Sequence, residues 1–351
     1  MTKIKRTICA ALAAAILAAS LLALTACGET ENGNVTALRE TFLAKANEVV
    51  VTDDAVTFSD ASDAGTVTVA KNPGKVAVLY ASFTTLWYEA GGTAQGVIGG
   101  SSSVELYEEY IGRDITQDDG VQVLATSGSG KNWSTETIVD FQPDLIICST
   151  AMSGYSTIKA PAAAAGIPVV AVEYNDFSDY LKWFKVFCNL TGSEELWTTV
   201  AEKALDDVLD VVAKVPEEGA PEVFSMFIGA SSIQANTGNT VLGGMISQLG
   251  ATNIVDAWNG ASSAERLDIN LETVYAADPD IILAQCHSDE DTCKGMVTEQ
   301  YGDNAVWNSL SAVKDDKVYY LQKTLFHNKP NSRFADAYRT LAEILYPDVE
   351  F

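Results

Sequence analysis

Two histidines, two cysteines and a basic run are the residues that could do chemistry in the second half of this chain. His287 stands inside C-H-S-D-E-D-T-C, bracketed by Cys286 and Cys293. An eight-residue bracket suits a local disulfide. It also holds His and Asp, the usual company of a metal, although metal-ligand cysteines more often come as C-x-x-C. His327 opens H-N-K-P-N-S-R-F, where Lys329 and Arg333 could pair with carboxylates of a ligand, or Arg333 could anchor its own helix. Met152, Tyr155 and Tyr174 are residue types that can ligate haem iron, and also types that build walls and cores. No G-x-S-x-G elbow and no H-E-x-x-H occurs. A-T-S-G-S-G-K-N at 125–132 misses the phosphate-loop pattern at Ala125 and Asn132. The inventory fits binding better than catalysis.

Something must position these residues. The chain has 351 residues, 47% of them hydrophobic, enough for two domains. Lys3, Lys5 and Arg6 precede an apolar run that ends L-T-A-C at Cys27, and acidic residues follow. This has the form of an export signal and resembles a bacterial lipoprotein signal, with Cys27 the lipidated residue. Removing residues 1–26 takes the net charge from −25 to −28. So acidic a protein does not seek nucleic acid or an anionic membrane by charge. Residues 27–48 read as a tether with a short helix inside it.

From 49 to 69, β-branched residues alternate with turn formers, which predicts small hairpins. Beyond them, short unalternated apolar runs at K-V-A-V-L-Y, V-Q-V-L, D-L-I-I-C and I-P-V-V-A-V predict strands buried on both faces, with helices between them. The pattern restarts at E-V-F-S-M-F-I (222–228), continues through D-I-I-L-A and K-V-Y-Y-L, and ends in a helix near Arg333–Leu345. The fold class is α/β: two three-layer lobes with mostly parallel sheets, at 49–192 and 216–351, and a ligand cleft between them. One long helix over 193–215 joins them, and Pro216 stops it. A single strut predicts closure by only a few degrees.

S-T-E-T-I-V-D-F-Q-P-D-L-I-I (134–147) and N-L-E-T-V-Y-A-A-D-P-D-I-I-L (270–283) are the same unit twice: a helix, then P-D, then a strand. Glu136 and Glu272 occupy matching places at the helix starts.

The order of PGKVAVLYASFTTLWYEAGGTAQGVIGG, TETIVDFQPDLII, AAGIPVVAV, LGATNIVD, INLETVYAADPDIIL, VWNSLSAVKDDKVYYL and KPNSRFADAYRTLAEILYP resembles one known group over about residues 55–350. These are the substrate-binding lipoproteins of ABC importers for iron–siderophore complexes, haem and corrinoids, the helical-backbone periplasmic binding proteins. The resemblance implies no enzyme and no intrinsic cofactor. It implies a ligand that carries iron as a ferric siderophore, with haem or a corrinoid as alternatives. A bare Mn or Zn receptor would need converging His and carboxylates, and Y-A-S-F at the first strand end offers none. The implied partners are an ABC permease dimer with its ATPase. The implied state is a monomer held by lipid on the outer face of the cytoplasmic membrane. In such proteins a Glu at the tip of each lobe docks on the permease, and Glu136 and Glu272 match those positions. Ligands of open α/β sheets bind beyond the carboxyl ends of the strands. The expected contacts are therefore Ser82, Phe83, Trp87, Tyr88, Ser127, Lys131, Tyr155, Glu173 and Tyr174 from the first lobe. The second lobe should supply Ser231, Gln234, Arg266, His287, His327, Lys329 and Arg333.

Overall fold

The computed structural model describes residues 33–62, 65–126, 130 and 133–351. A three-stranded antiparallel sheet comes first, β1 (Val50–Val51), β2 (Ala55–Ser59) and β3 (Thr66–Ala70). It realises the expected hairpins. The second sheet is wholly parallel, in the order β6-β5-β4-β7-β8. Its strands are β4 (Val76–Val78), β5 (Gly96–Ile98), β6 (Gln122–Ala125), β7 (Leu145–Ser149) and β8 (Val169–Val172).

The third sheet runs β12-β10-β9-β13-β14, with β11 beside β9. Parallel pairs join β9 (Glu222–Ile228), β11 (Thr252–Asn253), β13 (Ile281–Cys286) and β14 (Val318–Leu321). β10 (Ile233–Asn236) and β12 (Arg266–Asp268) add an antiparallel flank. The sequence reading took both of those as loops, because four- and three-residue strands with polar residues carry little periodic signal.

Alternation along the strands explains the layers. Val76, Val78, Leu145 and Ile147 enter one core, and Ala77, Ile146 and Cys148 enter another on the opposite face. In the third sheet Val223, Ile281 and Leu283 face the first of these cores, while Phe224, Met226, Ile282 and Ala284 face a separate one. One core therefore runs unbroken from the second sheet to the third. Phe334, Tyr338 and Leu341 of the last helix, Phe334–Leu345, lie in it beside Phe177 and Tyr180. Phe177 and Phe334 are 4.8 Å apart between ring centroids.

The segment expected as a tether is, in its described part, a packed helix, Gly33–Asn47. Phe42 is 1% exposed and meets Phe177 edge-on at 5.0 Å. Val35, Leu38, Phe42 and Ala46 make an apolar stripe at helical spacing among polar neighbours, and Phe42 alone contributes on the order of 2 kcal/mol by burial. The joining helix also begins later than expected. Gly192 (φ +74) ends helix Phe177–Thr191, and the next helix runs from six π-helical residues, Trp197–Glu202, into eleven α-helical ones, Lys203–Ala213. Together they span about 25 Å. Ala201, Leu205, Val208 and Leu209 bury its inner face.

The repeated unit is repeated in its atoms. Helix Thr135–Asp140 is followed by Gln142 at φ +50, and helix Leu271–Ala277 by Asp278 at φ +45. Each left-handed residue precedes the proline, which disfavours the helical conformation there. The Asp after each proline then clamps the neighbouring strand. Asp144 accepts from Lys75 N–H at 2.7 Å and donates its own N–H to Lys75 O at 2.7 Å. Asp280 does the same with Glu222 at 2.8 and 2.9 Å.

Candidate functional site

At the carboxyl ends of β9 and β13 a cavity of about 70 Å³ lies between the second and third sheets. Asn175 borders it from the N-terminal side, after β8, and Asn239, Thr240, Arg266, Gln285 and the 326–329 turn from the C-terminal side. Its floor is a polar network on a sheet face. Asn236 Nδ2 donates to Gln285 Oε1 at 2.9 Å, Gln285 Nε2 donates to Phe326 O, and Arg266 Nε donates to Asn236 Oδ1 at 3.3 Å. Asn236 is wholly buried, so the network is fixed before any ligand arrives. The Arg266 guanidinium sits 4.0 Å over the Phe227 ring, and His327 stacks on the same ring at 5.5 Å. Lys329 Nζ stands 5.1 Å over the ring of Tyr174.

The charges here are unusual for so acidic a chain. Among the described residues neither Arg266 nor Lys329 forms an ion pair. Burial pulls the Lys329 amine down to about 8. Glu265, Asp179 and Asp176 pull the other way, and Arg266 adds to the depression. Lys329 is enclosed by protein yet keeps some contact with solvent, as the floor of a narrow cleft does. Burial, then Arg266, Lys323, His287 and Lys329, push the His327 imidazole down to about 4, so it is neutral at pH 7. Burial lowers Arg266 as well, although it stays charged. His287 Nδ1 donates to Ile228 O at 2.9 Å, since a carbonyl oxygen only accepts, and this holds the ring in place. A site of this kind attracts anions and repels a bare cation. Among the described residues no three His, Cys, Asp or Glu converge as metal ligands, and no helix is long and apolar enough to cross a membrane.

Of the expected contacts, Arg266, His327 and Lys329 line this cavity, with His287 electrostatically coupled beside it. Gln234 pairs with Phe227 across the β10–β9 ladder, and Ser231 is exposed in the turn between those strands. The first-half aromatics depart from expectation. Phe83 and Trp87 belong to the core, and so does Tyr174, which stacks on Phe83 and Phe334. Ser82 is buried, Trp87 Nε1 donates to Thr93 O at 3.0 Å, and Tyr88 turns its hydroxyl toward Ala94. Helix Ala81–Glu89 carries apolar or small residues all round its first seven positions, and this drew its aromatics inward.

Arg333 is committed elsewhere, to Glu109 at 2.6 Å and Asp336 at 3.3 Å. Tyr155 begins helix Tyr155–Ala164 and packs against the outer core of the second sheet. Glu173 is exposed and accepts from Asn175 Nδ2 at 3.0 Å. Cys27, Ser127 and Lys131 lie outside the described residues. Sequence reading missed Phe227, and it reached Asn236 and Gln285 only as members of the strand-end stretches 231–236 and 285–289, not as a bonded floor. Gln285 is the one polar residue of β13 and Asn236 is the last residue of β10, and that was the available signal.

Around the cavity a second set of contacts ties the two sheets together. Asn331 Nδ2 donates to Thr85 Oγ1 at 2.9 Å, Tyr110 donates to Thr324 O at 3.1 Å, and Lys323 pairs with Glu105 at 2.9 Å. Glu89 accepts from Ser332 Oγ at 2.8 Å, and burial lifts its carboxyl to about 7 against those bonds and Arg333. Glu136 and Glu272 are exposed in the first turns of their helices, above the capping residues Ser134 and Asn270. Cys286 and Cys293 are free, buried thiols.

A profile for periplasmic binding proteins matches residues 76–325. A putative ABC transporter substrate-binding lipoprotein of Bacillus subtilis, YhfQ, is 23% identical over 274 residues, 75% of this chain and 80% of that one. An iron-uptake system-binding protein of the same organism is 26% identical over 192 residues, 52% of this chain and 56% of that one, so the match spans little more than half of it. Among solved structures, the triscatecholate siderophore binding protein FeuA of B. subtilis, complexed with ferri-bacillibactin, superposes with a TM-score of 0.62 at 20% identity, covering 83% of this chain and 98% of that one. Staphylococcus aureus IsdE complexed with heme superposes at 0.63 and 16% identity, covering 78% and 99%. The profile covers well over half of the sequence, and the α/β architecture agrees with it: the chain belongs to the periplasmic binding protein family.

Proposed function

We propose that this protein is the extracytoplasmic substrate-binding component of an ABC importer and that it captures an anionic iron chelate, a ferric siderophore before any other. The observation that carries this reading is the unpaired Arg266–Lys329 pair over a pre-bonded polar floor, in a chain of net charge −25. Arg266 and Lys329 are half-buried and held in no ion pair, with the Glu265 carboxylate nearby as a partial offset, so an anion that joins them gains two charge-assisted contacts. Haem is the second reading. His327 is held neutral beside the cavity, as an axial ligand must be, and its cationic neighbours suit propionates.

The 70 Å³ cavity is smaller than a chelate requires, so the sheets must part to admit one. We assign residues 49–192 and 216–351 to the two lobes. The assignment of Cys27 as lipid anchor, and of Glu136 and Glu272 as docking groups for a permease dimer, belongs to the same reading. Titrating the protein with ferric tris-catecholate, ferric citrate, haemin and cobalamin, followed by quenching of its own fluorescence, tests the ligand class. Tight binding of one ferric chelate supports the proposal. Binding of haemin or cobalamin alone overturns it.

A further inference from the structure

Among the four described cysteines, two lie together and two do not. Cys148 is in the outer core of the second sheet, and Cys188 is in helix Phe177–Thr191. Cys286 ends β13, and Cys293 is in the first turns of helix Glu290–Tyr301. The chain between them makes a short outward excursion, with Asp289 capping the helix through Thr292 N–H at 2.9 Å. Beneath that excursion both side chains enter one core cluster, at 1% and 0% exposure, and Cys293 is the nearest ionisable neighbour acting on Cys286. A strand end and a helix start joined by so short a loop can bring two side chains within the reach a disulfide needs.

We propose that Cys286 and Cys293 are joined as a disulfide in the protein at work outside the cytoplasm. This rests on the extracytoplasmic reading above, since that compartment supplies the oxidant. The oxidant is another disulfide, carried by a thiol oxidase or by oxidised glutathione. One thiolate attacks it and gives a mixed disulfide. The second thiolate displaces the departing thiol. Two thiols of this chain lose two protons and two electrons, and the oxidant's disulfide becomes two thiols.

The timing follows from the burial. Burial, then contact with Cys293, raises the Cys286 thiol above its ordinary range, and no oxidant reaches it in the finished fold. The bond forms while the segment is still open, and the same burial then shields it from reductants. Its effect falls at the edge of the candidate site, because Gln285 of the cavity lining directly precedes Cys286, and His287, which directly follows it, is pinned to Ile228 O.

The test uses protein recovered from the cell envelope, unfolded in denaturant with an alkylating agent and cut with trypsin. One tryptic peptide, residues 267–294, holds Cys286 and Cys293 and no other cysteine. Expected is that peptide unlabelled and lighter by two hydrogens, taking two labels only after reduction, while Cys148 and Cys188 are labelled directly. A peptide labelled twice before reduction overturns the proposal. Full-length protein refolded in a glutathione redox buffer locates the fault. If the bond forms there but not in the envelope, the extracytoplasmic reading has failed. If it forms in neither, the geometry has. Reductant should also lower the melting temperature by on the order of 4 °C in the bonded protein and not in Cys286→Ala.

Discussion

Replacing Lys329 by Met deletes a charge and keeps the length and most of the apolar stem. Two effects of opposite sign follow. In the free protein, burial holds the Lys329 amine near 8 against an ordinary 10.5. Keeping it charged at pH 7 therefore costs up to about 3 kcal/mol, an upper bound because the side chain retains some solvent. The sign is fixed by linkage. The folded state holds this proton less tightly than the unfolded state, so stability is gained as pH rises from about 8 toward 10.5, and the penalty is complete below 8. Lys329→Met should thus raise the stability of the free protein at pH 7 by about 1–3 kcal/mol, and it should flatten the rise in melting temperature above pH 8. For an anionic ligand the same change removes a charge-assisted hydrogen bond of about 1.5–3 kcal/mol, a loss of about 10- to 150-fold in affinity. Thermal unfolding between pH 6 and 10, with chelate titration at pH 7, reads both. A variant that is less stable at pH 7 and binds as before would show Lys329 to be a packing group, and the anion argument would fall.

Glu89 titrates in the other direction. Burial raises it to about 7, so its contribution is full below the ordinary carboxylate range and lost as pH climbs through 7. Glu89→Gln should be the more stable protein at pH 8 and show no such decline, and an unchanged pH profile refutes the assignment. Glu136→Ala with Glu272→Ala should leave chelate affinity within error and impair uptake through the cognate permease, and normal uptake would return both to helix-start charges. Cys27→Ser should release an intact protein from the membrane fraction, and retention without incorporated lipid label contradicts the anchor. The radius of gyration from small-angle scattering should change only slightly on chelate binding, rising if anything as the sheets part. A large drop would mean that the helix ending at Ala213 does not act as a strut.

Sequence periodicity located most of this fold. E-V-F-S-M-F-I is a strand over the residues expected, and the paired P-D units are paired joints. Elements failed to show where tertiary contact outweighs local pattern. Helix Gly33–Asn47 was legible as a short helix but not as a packed one, because its place is set by Phe42 against Phe177 and a polar surface hides its stripe. β10 and β12 are set by pairing, since three or four residues have no period to speak of. For the site, charge was legible and aromaticity was not. Lys329 and Arg266 are costly to enclose and so mark a cavity, with His327 at its edge, whereas Phe83, Trp87 and Tyr174 are as well suited to a core, and the core took them.

The core shared by both sheets also orders events in time. Phe177 and Tyr180 stay uncovered until Phe334 and Tyr338 arrive, and those are made only after every strand of the third sheet. The first half of the polypeptide cannot seal itself while the rest is being made. Export in an unfolded state, which the proposed function implies, would suit that delay, because helix Phe334–Leu345 follows through the channel the two sheets that it seals.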